Sequence, residues 1–253
     1  MTPFLTQRLQ HAIALAVKVH DKMIRKGDGQ FFITHPIAVF GLLVRFGADE
    51  DTCIAGLLHD TIEDSANEDQ AALRATIREQ FGSKVLETVE GVTEQDKSLP
   101  WKERKKHYLE HLETASQESL LVSCADMTHN ISCLAAGYER EGEKFWERFN
   151  ANKQWKVWFI DARRDILVQR LPKEYTEELH SHLERLNGLL SRPLPPGYGA
   201  IGVSKEGDGE ALIISDPLFQ SFWNHCMLTE EEMETGMLDD TRQALERAGE
   251  EQP

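Results

Sequence analysis

The sequence has little cysteine, and none of it is spaced to build a covalent or metal framework. The four cysteines, Cys53, Cys124, Cys133 and Cys226, include no CxxC pair and stand mostly among apolar neighbours. Disulfide frameworks and zinc knuckles require paired or regularly spaced cysteines. The composition therefore favours buried, reduced thiols over either kind of site.

Long apolar runs are also missing. No run approaches the ~20 residues that a membrane-spanning helix needs. The first 20 residues are interrupted by Arg8, Gln10, His11 and Lys18 and are not built as a signal peptide. These features predict a cytoplasmic protein with no membrane partner.

Basic residues are scarce relative to acidic ones. The chain has 28 Lys and Arg against 43 Asp and Glu, a net charge of −15. Binding to the phosphate backbone of a nucleic acid relies on clustered Lys and Arg, so this balance argues against a nucleic-acid polymer as partner. Residues 201–253 carry 13 acidic and 3 basic residues, a net of −10, which leaves −5 for residues 1–200. A small anionic ligand therefore remains compatible with the main body.

Strand-like alternation is scarce, whereas apolar residues recur at helical spacing through most of the first 190 positions. This pattern predicts an all-α fold with about eight helices before residue 190. Gly- and Pro-containing breaks are expected at 25–30, 45–50, 80–84 and 93–100. The predicted organisation is a domain over 1–192, a linker over 193–200, and an acidic C-terminal extension over 201–253.

The stretch GLLHDTIEDS, residues 56–65, places a histidine and three carboxylates directly after an apolar run. On a helix, His59 and Glu63 would be i,i+4 neighbours, as would Asp60 and Asp64. Burying unpaired charges at this point would cost several kcal/mol unless a metal or a partner compensates. The pattern thus points to a bound cation.

Two further ligands are available elsewhere in the chain. His35 opens a helix after a loop, and Asp126 follows the apolar run LLVSCA. With His59 and Asp60 they would form a site of two imidazoles and two carboxylates, a set suited to Mn²⁺, Fe²⁺, Mg²⁺ or Zn²⁺. A helix-end histidine and a solvated helix terminus are the alternatives that the residues alone leave open.

Four sequence blocks in order resemble the HD superfamily of metal-dependent phosphohydrolases. They resemble, more narrowly, the hydrolase domain of the RelA/SpoT family. The blocks are RKGDGQFFITHP at 25–36, AGLLHDTIEDS at 55–65, REQFGSKVLETVEGVTE at 78–94 and VSCADMTHNI at 122–131. An HD pair alone would be a weak signal, but four blocks with the family's order and spacing are specific. The resemblance implies an HD-domain helical bundle.

The resemblance also implies roles for individual residues. The implied Mn²⁺ ligands are His35, His59, Asp60 and Asp126. The implied catalytic pair, which orients or deprotonates the attacking water, is Glu63 and Asp64. The implied substrate-binding residues are Arg25, Lys26, Lys97, Asn130 and Lys153. The family has an arginine after the last metal ligand, where this chain has Met127. This departure leaves the implied metal site intact but puts some structural pairing in doubt.

The activity implied by the resemblance is Mn²⁺-dependent hydrolysis of the 3′-pyrophosphate of ppGpp or pppGpp, giving GDP or GTP and pyrophosphate. Two alternatives stay open. The same site could act on another nucleotide, such as an adenine alarmone or the 2′-phosphate of NADPH, or the chain could be a non-catalytic nucleotide sensor. The implied partner is a small anionic nucleotide, and a homo-oligomer is compatible with the sequence. The extension could be a lid, an oligomerisation segment, a partner-binding helix or a solvated appendage.

Overall fold

A computed structural model of the chain describes residues 6–94, 97–149, 151 and 153–190. Within these residues it contains ten α-helices, one 3₁₀ helix and a single antiparallel bridge between Ile24 and Phe31. The predicted all-α fold is confirmed. The helices are α1 Gln7–Val19, α2 Thr34–Arg45, α3 Glu50–Leu58, α4 Thr61–Asp64, α5 Asn67–Phe81, α6 Ser83–Glu90, α7 Trp101–Thr114, α8 Gln117–Glu141, the 3₁₀ helix Gly142–Arg148, α9 Lys153–Arg170 and α10 Lys173–Leu190.

The apolar core lies mainly between α1, α2, α3, α6 and α8. Leu43 of α2 and Ile54 of α3 are fully buried in it. A Cβ atom on Gly56 would lie 2.2 Å from Cδ1 of Leu43, so only glycine allows α3 to approach α2 this closely. The close contact brings the end of α3 next to the start of α2, where His35 lies.

The segment 50–64 forms two helices rather than the one continuous helix expected around GLLHDTIEDS. The helix α3 ends at Leu58, and α4 begins at Thr61. At this end of α3, side chains donate hydrogen bonds to backbone carbonyl oxygens. His59 Nδ1 donates to Gly56 O at 2.8 Å, and Thr61 Oγ1 donates to Leu58 O at 2.6 Å. Local side-chain bonds of this kind compete with helix continuation.

The break at 25–30 forms a short hairpin-like turn before α2. The amide of Arg25 donates to Gln30 O at 2.9 Å, and that of Phe32 donates to Met23 O at 2.8 Å. Pro36 falls in the first turn of α2, as its sequence position predicts. The turn thereby places Arg25 and Lys26 beside the start of the helix that carries His35.

The predicted linker over 193–200 and the predicted extension over 201–253 lie outside the described residues. The helices that are described extend to Leu190. None of them combines the length and the apolar composition that crossing a bilayer would require.

Candidate metal centre and active site

Four side chains from three segments meet at one point. His35 comes from the first turn of α2, His59 and Asp60 from the break between α3 and α4, and Asp126 from the middle of α8. The Nε2 atoms of His35 and His59 lie 3.2 Å apart, and Asp126 Oδ1 lies 3.0 Å from the first and 3.7 Å from the second. Three of the four residues, His35, His59 and Asp126, form a cluster that could hold a metal ion.

Asp60 completes this arrangement. Its Oδ1 lies 3.2 Å from His59 Nε2, and its Oδ2 lies 3.4 Å from His35 Nε2. Neighbouring ligands of an octahedral ion with bonds near 2.1 Å are separated by about 3 Å. The spacing of the four groups therefore fits a single small divalent cation.

The histidine rings are oriented by bonds on their far sides. His59 Nδ1 donates to Gly56 O, so Nε2 is the ring nitrogen that faces the carboxylates and that would bind a cation. His35 Nδ1 lies 2.8 Å from Nδ1 of His129, another residue of α8. Such outer bonds fix the tautomer of a metal-binding histidine.

The two carboxylates of the cluster, Asp60 and Asp126, need a positive charge beside them. Burial would lower the pKa of His59, but the carboxylates of Asp60 and Asp126 outweigh it and raise that pKa well above its usual value. Burial and the neighbouring His59 lower the pKa of His35, although Asp126 and Asp60 oppose this shift. A divalent cation would satisfy both carboxylates and both Nε2 atoms at once, so the donor set fits a metal ion.

Asp126 has a partner that the sequence did not reveal. Arg163 of α9 donates from Nη2 to Asp126 Oδ2 at 2.7 Å and to Ser123 O at 2.7 Å, and from Nε to Ser123 Oγ at 2.9 Å. Burial opposes ionisation of Asp126, but Arg163 and the two histidines hold its pKa well below the usual range. The side chain of Met127 is buried instead. Asp126 is thus paired with an arginine of α9 and not with the residue that follows it in the sequence.

Glu63 and Asp64 line the same cavity as the four candidate ligands. Burial and the carboxylates of Asp60 and Glu94 raise the pKa of Glu63 to about 7. Burial, Asp60 and Glu63 likewise raise the pKa of Asp64 to about 7. Carboxylates with such a pKa are suited to take a proton at neutral pH.

His20 is a further buried neighbour of this pair. The sequence alone gave it no role, yet its side chain is fully buried and its Nδ1 lies 3.9 Å from Asp64 Oδ2. Burial lowers the pKa of His20 to about 4, so the ring is neutral. Its ring stacks on Phe32 with centroids 4.7 Å apart.

The cavity above the candidate metal site has a volume of about 580 Å³, within the range of small-molecule sites. Arg25, Lys26 and Asn130 line it, as the resemblance implied. Arg25 Nη2 donates to Asn130 Oδ1 at 3.0 Å, and Asn130 Nδ2 donates to Asp126 Oδ1 at 2.5 Å. A chain of polar contacts thus runs from the candidate metal site to the guanidinium group.

The two other lysines implied by the resemblance, Lys97 and Lys153, are not part of the cavity lining. Lys97 is exposed and its Nζ donates to the backbone carbonyl of Glu63. Lys153 is bonded to Glu143 at 2.7 Å and faces the rings of Tyr138 and Trp146. Neither residue is among those that line the cavity.

Two lysines that the sequence did not single out do line it, Lys105 of α7 and Lys156 of α9. Lys156 is one helical turn after Lys153. Its i,i+3 spacing from Lys153 was the only signal available in the sequence, because the family's blocks end before this region.

The HD domain family model matches residues 12–155, more than half of the chain, and the chain therefore belongs to the HD domain family. The resemblance read from the four sequence blocks is thereby confirmed at the level of the family. Among curated proteins, the chain is similar to a guanosine-3′,5′-bis(diphosphate) 3′-pyrophosphohydrolase MESH1 of Xenopus tropicalis. The two are 37% identical over 123 residues, covering 47% of this chain and 65% of that protein.

Bacterial relatives are longer. The bifunctional (p)ppGpp synthase/hydrolase SpoT of Escherichia coli K12 is 33% identical over 136 residues, covering 51% of this chain and 18% of that protein. A GTP pyrophosphokinase of Myxococcus xanthus is 35% identical over 134 residues, covering 50% of this chain and 17% of that protein. The chain thus spans less than a fifth of the length of these bacterial relatives.

Solved structures support the fold. One reported under the words "a metazoan ortholog of SpoT hydrolyzes ppGpp and plays a role in starvation responses" matches with a TM-score of 0.59 at 22% identity, covering 74% of this chain and 99% of that chain. The structure of lmo0812 from Listeria monocytogenes EGD-e matches with a TM-score of 0.53 at 28% identity, covering 61% and 97%. The helical arrangement is therefore shared with these two solved structures.

Proposed function

We propose that the chain is a metal-dependent phosphohydrolase that removes pyrophosphate from the 3′ position of ppGpp and pppGpp, with Mn²⁺ as the cation. The observation that carries the proposal is the meeting of two imidazoles and two carboxylates, with the key atoms 3.0–3.7 Å apart, at a cavity that Glu63 and Asp64 also line. Relatives named as 3′-pyrophosphohydrolases of this nucleotide support the choice of substrate.

The proposed metal ligands are His35, His59, Asp60 and Asp126. A divalent cation held by them would supply positive charge that polarises a phosphoryl oxygen and increases the acidity of nearby water. The donor set is of borderline hardness, which suits Mn²⁺ among several first-row ions. Asp126 is held in place for this role by Arg163.

The proton transfers are assigned to Glu63 and Asp64. The oxygen of a water molecule attacks the phosphorus that is attached to the ribose 3′ oxygen. The bond between this phosphorus and the ribose 3′ oxygen then breaks. The carboxylate that takes the proton of the water can return it to the departing ribose oxygen, so the products are GDP or GTP and pyrophosphate. A pKa of about 7 makes either carboxylate able to accept and release that proton near neutral pH.

Arg25 and Asn130 are assigned to the nucleoside. The guanidinium group of Arg25 is planar and can stack on a base, and Asn130 can bond to ribose hydroxyls. Their mutual bond of 3.0 Å keeps the two groups together within the cavity. Their proposed role is to hold the nucleoside so that its 3′ phosphates reach the candidate metal site.

The test is a substrate panel. Metal-stripped protein is incubated with ppGpp, pppGpp, ppApp and NADPH, with and without Mn²⁺, and the products are separated by anion-exchange chromatography. We expect GDP and pyrophosphate from ppGpp only with Mn²⁺, and no product from Asp60→Asn under the same conditions. Loss of phosphate from NADPH with ppGpp intact would replace the proposed substrate, and turnover by Asp60→Asn would remove the proposed site.

A further inference from the structure

Three lysines converge on the cavity from three different segments. Lys26 comes from the turn before α2, Lys105 from α7 and Lys156 from α9. The Nζ atom of Lys156 lies 4.2 Å from the ring centroid of Phe149, and that of Lys105 lies 4.6 Å from the ring centroid of Phe159. The ammonium groups of Lys156 and Lys105 therefore each face an aromatic ring that also lines the cavity.

The negative charge around these lysines is smaller than the positive charge. Glu94 bonds to Lys105 and, at 2.6 Å, to Arg104, so one carboxylate serves two cations. Among the described residues, no carboxylate forms an ion pair with Lys26 or Lys156. Lys26 and Lys156 thus add positive charge, which no described carboxylate pairs, to a cavity lining that also includes the carboxylates of the candidate metal site.

The protonated form of Lys156 is disfavoured at this position. It is half-buried, and burial together with the charges of Lys105 and Lys26 lowers its pKa to about 8. The contact of its ammonium group with the Phe149 ring is favourable, but it does not relieve the repulsion from two other ammonium groups. An anion placed among the three lysines would relieve it.

We propose that Lys156, together with Lys105 and Lys26, forms a second phosphate subsite that binds a phosphate group of the nucleotide other than the one attacked. This inference rests on the proposed function for the identity of the nucleotide. A lysine ammonium binds phosphate as a point charge and needs no planar geometry, which suits a subsite assembled from three separate segments.

Two phosphate groups of ppGpp have the chemistry that the subsite requires. One is the 5′-diphosphate, and the other is the outer phosphate of the 3′-diphosphate, which leaves as part of pyrophosphate. Both are multiply charged at neutral pH. They are distinguished by comparing ppGpp with pGpp, which has one phosphate fewer at the 5′ end.

The first experiment measures kcat and KM of the Mn²⁺-loaded protein for both nucleotides in four forms of the chain: wild type, Lys156→Ala, Lys156→Arg and Lys102→Ala. Lys102 is the matched control, because its Nζ lies 4.2 Å from the ring centroid of Trp155 and it does not line the cavity. We expect Lys156→Ala to raise KM for ppGpp about tenfold with kcat within about twofold. Lys156→Arg should retain most of the affinity, and Lys102→Ala should match the wild type.

The comparison of nucleotides separates the two sources of phosphate. If the subsite binds the 5′-diphosphate, Lys156→Ala raises KM more for ppGpp than for pGpp. If it binds the outer 3′ phosphate, both values of KM rise equally and inhibition by added pyrophosphate weakens. An unchanged KM of Lys156→Ala for both nucleotides would overturn the subsite, as would an equal rise in Lys102→Ala.

A binding measurement keeps this inference separate from the proposed activity. Titration calorimetry with inorganic pyrophosphate and with GDP is applied to the same Mn²⁺-loaded proteins. Their thermal unfolding midpoints are compared first, to show that each variant is folded. If the wild type hydrolyses none of the nucleotides, the proposed function fails. The subsite then stands only if either ligand binds the wild type and binds Lys156→Ala about tenfold more weakly, and equal binding would refute it.

Discussion

At the level of single residues, the candidate metal site depends on how Asp126 is shared. One carboxylate oxygen faces the Nε2 atoms of His35 and His59, and the other accepts from Arg163. The arginine therefore orients a proposed metal ligand and keeps it ionised, without itself facing the cation. Residues that orient metal ligands typically affect metal affinity by 10–100-fold.

We expect Arg163→Gln to weaken Mn²⁺ binding by about 10–100-fold. Glutamine preserves a donor but removes the charge and the paired bonds to Ser123 and Asp126. Calorimetric titration of the metal-free protein measures the effect. Arg164→Gln is the matched control, because Arg164 is the next residue of α9 and pairs only with Asp161 and Asp165 among described residues. Equal metal affinity in the two variants would show that Arg163 does not support the site.

Glu63 is a proposed acceptor of the proton of the attacking water. Glu63→Gln should retain Mn²⁺ but lower kcat by about 10²–10⁴-fold, which is the usual contribution of general acid–base catalysis. Metal content is measured by atomic emission and the rate by release of GDP. A normal rate would assign the residue a structural role.

The rate should also depend on pH in a defined direction. A raised carboxyl pKa of about 7 means that Glu63 and Asp64 are protonated below that value and cannot accept a proton. We therefore expect kcat/KM to fall about tenfold per pH unit well below pH 7 and to level off above it, with the apparent pKa belonging to the pair. Metal content measured at each pH separates this effect from loss of the cation. A rate that rises towards acid pH would contradict the assignment.

At the level of elements, the start of α3 is fixed by its N-cap. Asp49 accepts from Thr52 N at 2.9 Å and from Lys84 Nζ at 2.7 Å, which ties α3 to α6. The other end of the same helix carries His59. The position of the candidate ligand therefore follows from how α3 is held at both ends.

Asp49→Ala should lower the free energy of unfolding by about 1 kcal/mol at pH 7, the usual cost of losing an N-cap. Burial opposes ionisation of Asp49, but bonds from Lys84 and Thr52 lower its pKa to about 2, below the ordinary 3.8. Its contribution is therefore complete above about pH 4 and is lost as the pH falls through about 2.

Urea unfolding at pH 7 and at pH 3 tests this prediction. The difference between wild type and Asp49→Ala should be smaller at pH 3. Glu79→Gln, an exposed change near the end of α5, should be neutral at both values. A difference that does not depend on pH would mean that the ionised carboxylate is not what stabilises the helix.

At the level of the whole molecule, folding and metal binding should be linked. The proposed ligands come from α2, from the break between α3 and α4, and from α8, so they meet only in the folded chain. A cation at 100 times its dissociation constant then adds about 2.7 kcal/mol to stability. We expect the thermal unfolding midpoint to rise by several degrees when Mn²⁺ is added to metal-free protein, and this rise should be absent in Asp60→Asn. An unchanged midpoint in the wild type would contradict a site assembled by folding.

The division of the chain at residue 192 remains a proposal, because the predicted linker and extension lie outside the described residues. All proposed ligands and catalytic residues fall between residues 25 and 130. We expect a chain ending at residue 192 to retain the kcat of the full chain within about threefold, measured with ppGpp. A larger loss would assign the extension a part in catalysis.

The sequence by itself determined the helical class, the positions of most breaks and the four candidate metal ligands. It could do so because these properties are local: apolar spacing identifies helices, and a carboxylate directly after a buried run requires a compensating charge. The tertiary structure alone decided the pairing of Arg163 with Asp126, the placement of Lys156 in the cavity with Lys153 outside it, and the break of the helix at His59. Each of these depends on which faces of distant helices meet, or on competition between side chains and backbone for the same carbonyl oxygens, and residue spacing along the chain does not encode either.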